Sequence, residues 1–340
     1  MNHSELTEIR KILITGGAGF IGSNLCEALL ERGDKVVCLD NFSTGKRENI
    51  ETFLPDANFS LIEGDIRDLN VCRKAVENVD YVLHEAAIGS VPRSINDPIT
   101  TNDANISGFL NMLVASRDAG IRRFVYATSS SVYGDSELLP KEEDIIGNPL
   151  SPYAITKYVN ELYARIFAKT YGMECIGLRY FNVFGKRQDP DGAYAAVIPL
   201  FIKKLINHEP PVINGNGNNS RDFTYVKNVI QMNLLALSTT KSEAVNQIYN
   251  TACGARTTLN QLVSYLKEFL AAYDSDISNI QEEHGSDRQG DIPHSHASID
   301  KAKRLLEYRP EYSIQDGLRE TIEWYRTLQK QNISSGKCCV

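Results

Sequence analysis

Short, almost unbroken apolar runs alternate with amphipathic stretches through the first half of the chain. Runs at 11–15, 35–39, 58–62, 81–83, 124–127 and 175–178 predict strands buried on both faces, as parallel strands are. Between them, apolar positions recur every three to four residues at 20–32, 69–78, 102–119 and 152–171, which predicts helices. Strand and helix in strict alternation predict an α/β fold, a Rossmann-type doubly wound parallel sheet with right-handed crossovers. After residue 180 the rhythm loosens. Pro190, Pro210, Pro211 and the Asn/Gly run 214–219 interrupt short elements, and helical periodicity returns at 194–207, 226–238, 259–272, 300–306 and 314–327. This half predicts a smaller mixed C-terminal domain, with 223–250 returning to the large sheet. The expected division is 1–181 plus about 222–250 for the first domain, 182–221 and 251–330 for the second, and 331–340 as a flexible tail.

Composition narrows the classes. A chain of 340 residues, 42% hydrophobic and 23% charged, is long enough for two domains and for a core that needs no disulfide or metal. The net charge of −7 argues against a nucleic-acid partner, which wants a basic face. None of the seven cysteines forms a Cys-x-x-Cys pair or a Cys/His cluster, so no metal is expected. The first eight residues carry acids where a signal peptide carries bases, and no apolar run reaches about 18 residues. A cytoplasmic protein with no membrane partner is the expectation.

Two constellations carry chemistry. In Lys11–Gly22, Gly16-x-x-Gly19-x-x-Gly22 falls between the first strand and the first helix. Gly16 permits the tight turn, Gly19 lets a pyrophosphate approach the backbone, and Gly22 lets helix and sheet pack closely, with the anion at the helix N-terminus. Asp40 closes the next strand, where a carboxylate accepts from ribose hydroxyls and repels a 2′-phosphate, favouring NAD over NADP. Asp65, after the third strand, is expected at the adenine edge. The second constellation is Tyr153-x-x-x-Lys157, on one helix face, with Ser129, Ser130 and Ser131 after the strand at 124–127. A phenol that removes an alcohol proton needs its pKa lowered, and a lysine ammonium is expected to do that while a serine bridges phenol and substrate.

Gly-x-x-Gly-x-x-Gly, His84-x-Ala86-Ala87, Ser129 with Val132-Tyr133-Gly134, Tyr-x-x-x-Lys, and Arg179-Tyr180-Phe181-Asn182-Val183-Phe184-Gly185 together resemble the extended short-chain dehydrogenases/reductases, in the branch that modifies nucleotide sugars, over about residues 10–330. The resemblance implies an NAD-binding first domain, a second domain that binds a nucleoside-diphosphate sugar, and a homodimer through helices like 102–119 and 152–171. It implies cofactor contacts at Gly16, Gly19, Phe20, Ile21, Gly22, Asp40, Asn41, Ser43, Asp65, Ile66, Ala86, Ala87, Asn105, Tyr153, Lys157 and Tyr180. Asn105, in a helix that should carry good formers, is also expected to fix the backbone near the site. His84, at the end of the fourth strand, is expected to pack rather than react.

The branch holds 4-epimerases, 4,6-dehydratases and decarboxylases, all of which begin by oxidising carbon 4. The last two types place a carboxylate one or two positions after the catalytic Ser/Thr, and Ser130 and Ser131 stand there instead. Epimerisation is therefore implied. Arg221, Tyr225, Arg288 and Asp291 lie in segments resembling diphosphate and ribose contacts, and Asn182 in one contacting the sugar nucleotide. Asn214, Ala196 and Val197 complete the implied substrate set. Ser295 falls where galactose epimerases carry a gatekeeper against the 2-substituent, and a small residue leaves room for N-acetyl. With Gly89, Ser90 and Ala196 it implies a box for a UDP-N-acetylhexosamine, as in the UDP-N-acetylglucosamine 4-epimerases of bacterial surface-polysaccharide pathways. The rivals are the UDP-N-acetylglucosaminuronate 4-epimerases, then UDP-glucose 4-epimerases or other UDP-sugar decarboxylases and dehydratases. Outside enzymes, the rival is an NAD-binding sensor.

Overall fold

The six apolar runs become six strands of one seven-stranded sheet. The structure, a computed structural model, describes residues 10–191, 195–286 and 294–334. In chain order its elements begin β1 Lys11–Thr15, α1 Phe20–Glu31, β2 Lys35–Asp40, β3 Phe59–Glu63, α2 Leu69–Ala75, β4 Tyr81–His84, α3 Val91–Asn96, α4 Pro98–Asn102, α5 Gly108–Asp118, β5 Arg123–Ser129, α6 Pro152–Tyr171 and β6 Cys175–Tyr180. They continue β7 Val183–Phe184, α7 Val197–Ile206, β8 Val212–Asn214, β9 Ser220–Arg221, β10 Thr224–Tyr225, α8 Val226–Ser238, β11 Ile248–Thr251, β12 Thr257–Thr258, α9 Leu259–Ala271, β13 Glu283–Gly285, α10 Asp300–Leu306 and α11 Ile314–Ser334.

The large sheet runs β11-β6-β5-β4-β1-β2-β3. From β3 through β2, β1 and β4 to β5 every pairing is parallel. The fold is the doubly wound parallel sheet that the alternation predicts. Sequence order reverses between β1 and β4, and beyond the carboxyl ends of those strands such sheets bind ligands. Leu13, Val37, Val82, Phe124 and Tyr126 from the strands pack with Phe109, Met112 and Leu113 of α5 and Phe167 of α6. Burying each large apolar side chain contributes about 1.5–3 kcal/mol.

Two expected elements end elsewhere, each for a polar reason. β5 reaches Ser129 and β6 reaches Tyr180, past the apolar runs, because Thr128 and Arg179 both find a buried partner in Glu161. The helix expected at 102–119 starts earlier, at Pro98 behind the cap of Asp97, whose carboxylate accepts from the Thr100 amide at 3.0 Å. It then passes through a π-helical turn, Asp103–Ser107, before α5.

The chain divides into two compact units. The first runs to Asp135 and takes in Ile146–Arg179 and Met232–Tyr249; the second holds Ser136–Ile145, Tyr180–Gln231 and the chain from Asn250 onward. Within the second unit, α9 packs on α7 and α11, and short strands pair as β7 with β10, β9 with β12 and β8 with β13. The 136–145 segment is held there by Asn250: its side-chain amide donates to Lys141 O at 2.9 Å and its backbone N–H donates to Glu143 Oε1 at 2.9 Å. Among the described residues no helix is long and apolar enough to cross a membrane, and no group of three His, Cys, Asp or Glu side chains could hold a metal.

Candidate active site

The glycine loop is folded tightly enough that side chains are excluded. Gly16 has φ +67°, and a Cβ on it would lie 2.8 Å from the Ala86 backbone. A Cβ on Gly22 would fall 2.1 Å from the Gly16 carbonyl oxygen. Gly19 is the N-cap of α1; no side chain caps it and no acid occupies the first turn, so Phe20 and Ile21 begin a helix whose positive end is open to an anion. Asp40 accepts the Ala18 amide at 2.9 Å and the Phe42 amide at 2.8 Å, tying the loop to the end of β2. Burial pushes its carboxyl up while those backbone bonds pull it down.

Asn41 links the ends of β2 and β3. Its amide donates to Asp65 at 2.8 Å and its carbonyl accepts from the Ser43 backbone at 3.0 Å. Arg67 closes on the same carboxylate through Nη2 at 2.7 Å, and that hydrogen bond holds Asp65 down at about 2. Ile66 lies buried under Gly108, where a Cβ would meet it at 2.6 Å. An open helix N-terminus, glycines where a Cβ would clash, and carboxylates after β2 and β3 fit a dinucleotide.

At the end of β4, Thr15 Oγ1 accepts the Ala86 amide at 3.2 Å and lies 2.9 Å from His84 Nδ1. Burial pushes His84 down to about 3, so it is a neutral, packed residue between Phe109 and Phe124. Ala87 follows on the same half-buried segment. Gly89 is exposed, with open space where a Cβ would stand, and Ser90 caps α3 by accepting from the Arg93 amide at 3.3 Å. Asn105, brought out by the π-helical turn, accepts from the Ile88 N–H at 2.7 Å and donates to Ile88 O and Thr156 Oγ1, each at 3.1 Å. Its amide holds that backbone, as expected for it near the site.

Tyr153, Lys157 and the serines meet at the end of β5. Ser151 caps α6, with Pro152 behind it, and Ser94 Oγ accepts the Tyr153 amide at 3.0 Å. Ser129 Oγ accepts from the Ser131 amide at 3.1 Å and from the Ser131 hydroxyl at 2.9 Å, which frees its own proton for Tyr153. Ser131 thus acts on Ser129, and Ser130 begins the 3-10 turn between them. Lys157 is buried, with Nζ donating to Ala127 O at 2.9 Å, 6.0 Å from the Tyr153 ring centre. Burial pushes the lysine down to about 8. The expected lowering of the Tyr153 phenol is absent: burial raises it, the Ser129 hydrogen bond pulls it down, and the charge of Glu85 pushes it up again.

In the second unit, Arg221 and Ser295 flank Ser220. Arg221 Nη1 donates to Ser220 O at 3.0 Å, and the Ser295 amide donates to the same carbonyl at 2.9 Å. Asn182, at φ +36°, donates to Asp222 O at 3.2 Å. Asp222 accepts backbone N–H groups of Cys253 and Gly254 at 3.0 and 3.1 Å, and burial pushes it up to about 7. Tyr225 departs from expectation. It is 1% exposed, its hydroxyl donates to Glu320 at 2.8 Å, and its ring packs on Phe184 and Tyr312, so it is core and not a nucleotide contact. Ala196 caps the start of α7 at Val197, Asn214 ends β8 exposed, and Tyr180 closes β6. Arg288 and Asp291 lie outside the described residues, as do Ala193 and Tyr194.

Glu85, Thr128, Glu161 and Arg179 were not singled out from the sequence as site residues. Their signal is legible in retrospect: Arg179 interrupts an apolar strand, and Glu161 sits one turn beyond Lys157 on the helix face that must be buried.

Known proteins are similar to this chain in sequence and fold. A "Putative UDP-glucose 4-epimerase" of Methanocaldococcus jannaschii is 37% identical over 93% of this chain and 98% of its own. The UDP-N-acetylglucosamine 4-epimerase of Methanobrevibacter ruminantium M1, solved with UDP-N-acetylmuramic acid, superposes with a TM-score of 0.88 at 37% identity, covering 95% of this chain and 100% of that one. The UDP-glucuronic acid 4-epimerase of Bacillus cereus, solved with UDP-glucuronic acid and NAD, gives 0.84 at 31% identity over 94% and 99%. Residues 12–252 match the family described as NAD dependent epimerase/dehydratase, and the chain belongs to that family.

Proposed function

We propose that this protein is a UDP-sugar 4-epimerase and that its preferred substrates are UDP-N-acetylglucosamine and UDP-N-acetylgalactosamine. The observation that carries the reaction type is that hydroxyls and not carboxylates stand at positions 130 and 131, at the end of β5 beside Tyr153 and Lys157. Tyr153 takes the proton of the 4-hydroxyl and later returns it, Ser129 holds the oxygen between them, and Lys157 supplies positive charge beneath. When bound, NAD would supply the hydride acceptor and donor for carbon 4 and a positive charge near the phenol. Elimination or decarboxylation asks for a further acid or base on the sugar, and the two positions after Ser129 offer only hydroxyls.

The N-acetyl preference is supported by Ser295 beside Arg221, by the free space at Gly89, and by the likeness to an N-acetylglucosamine epimerase. Arg221 and Arg288 are assigned to the diphosphate, and Asp291 to the uridine ribose. The Glu85 carboxylate, whose charge reaches both Tyr153 and Lys157, weighs against a sugar that brings a second carboxylate to that end. The assay is purified protein with UDP-N-acetylglucosamine, then with UDP-glucose and the two uronates. Formation of the galacto epimer without loss of mass is expected, fastest with the N-acetylhexosamine. A faster uronate, or a product of altered mass, would overturn the assignment.

Glu85 also gives a pH prediction. Its negative charge raises both Tyr153 and Lys157, so Glu85→Gln lowers both. The acid limb, where Tyr153 must shed its proton, and the alkaline limb, where Lys157 loses its charge, should move down together by about 0.5–1 pH unit. An unmoved kcat profile would show that this charge does not reach the reacting pair.

We assign the exposed Ile99 of α4 with Ile155 and Ile166 of α6 to contact with a second copy of the chain. Sedimentation as a dimer is expected, and as a monomer after Ile166→Glu.

A further inference from the structure

We infer that the buried Glu161–Arg179 pair is a positioning device that sets Ser129 against Tyr153, an inference that rests on the reading of Tyr153 as the base. Tyr153, Lys157 and Glu161 stand at i, i+4 and i+8 on α6, one face of the helix. Each grips a successive residue at the end of β5. Lys157 Nζ donates to Ala127 O at 2.9 Å, Glu161 Oε1 accepts from Thr128 Oγ1 at 2.7 Å, and Tyr153 meets Ser129. Thr128 immediately precedes Ser129 in β5, so its bond to Glu161 holds the strand end on which Ser129 stands.

Arg179 completes the grip from β6. Its Nε and Nη2 reach the two oxygens of Glu161 at 2.9 and 2.7 Å, a forked geometry that fixes the carboxylate's rotation. Its guanidinium carbon also lies 4.8 Å over the ring of Tyr133, the residue that closes the turn after the serines. One ion pair therefore fixes the backbone before Ser129, through Thr128, and after it, through Tyr133. An apolar pair could pack α6 against the sheet equally well. It could not accept the Thr128 proton or hold an orientation about that axis, and the directional bond is what the site uses.

Thr128→Val tests this, because it keeps the shape and removes only the hydroxyl given to Glu161. In the full-length, NAD-loaded enzyme we expect kcat to fall about 10-fold with KM within about twofold, and the acid limb of the kcat profile to move up. Thr128→Ser should restore both. A second readout needs no turnover: in protein carrying ¹³Cζ-tyrosine, with the Tyr153 signal assigned through Tyr153→Phe, its titration should rise in Thr128→Val. Should Thr128→Val not fold, Glu161→Gln, which still accepts from Thr128 but loses the fork, takes its place with the same expected shift. Wild-type kcat and an unmoved Tyr153 titration would overturn the inference, as would a loss of activity matched by the loss of folded protein alone. If wild type itself epimerises no UDP-sugar, the functional reading fails by that result, and the titration still decides the positioning role.

Discussion

Tyr153→Phe should lower kcat for epimerisation by about 10²–10⁴-fold, the usual worth of a positioned proton-transfer group, and leave bound nucleotide in place. The substitution removes one oxygen and little else. The α6 N-terminus stays capped by Ser151, Ser94 still accepts the backbone amide of residue 153, and Lys157 keeps its bond to Ala127 O. What disappears is the phenol that Ser129 bonds. Because burial and Glu85 both hold that phenol above its ordinary pKa, the protein by itself does not make Tyr153 a ready base. A cationic cofactor ring beside it would favour the phenolate. Epimer formation by NMR of the anomeric protons, with NAD content measured on the same sample, checks the prediction. Retained turnover would transfer the base role to another group.

Much of this was legible in the chain, for physical reasons that differ by element. Parallel strands are buried on both faces, so β1, β2 and β4 announce themselves as continuous apolar runs, and the glycines at 16, 19 and 22 state where a Cβ cannot go. Polar ends were harder. Thr128 and Arg179 look like the termination of a strand until Glu161, distant in sequence, is seen to receive both. The short strands β7 to β10, with β12 and β13, have two or three residues and therefore no period to detect. Tyr225 shows the limit of reading a motif as a block. Within Arg221–Tyr225 only Arg221 is open to solvent, while Asp222, Phe223, Thr224 and Tyr225 are buried, so adjacency in a binding motif did not make each residue a contact.

The same buried pair separates stability from catalysis. Arg179→Met should destabilise the protein by about 3–5 kcal/mol, because it leaves the Glu161 carboxylate, 6% exposed, without its ion-pair partner. Arg179 itself is 3% exposed, so water offers little replacement. Adding Glu161→Leu removes the stranded charge, and the double variant should recover most of the loss, to within about 1–2 kcal/mol of wild type. Urea midpoints at constant m-value measure both shifts. Activity should not follow stability. The double variant has nothing to accept the Thr128 hydroxyl, so it should fold firmly and still turn over slowly, with the acid limb of its pH profile displaced upward. If the double variant were both stable and fully active, the pair would be packing alone; if it stayed as unstable as Arg179→Met, the stranded carboxylate would not be the cause. A stable, slow double variant is the outcome that follows from a carboxylate whose work is to aim a serine.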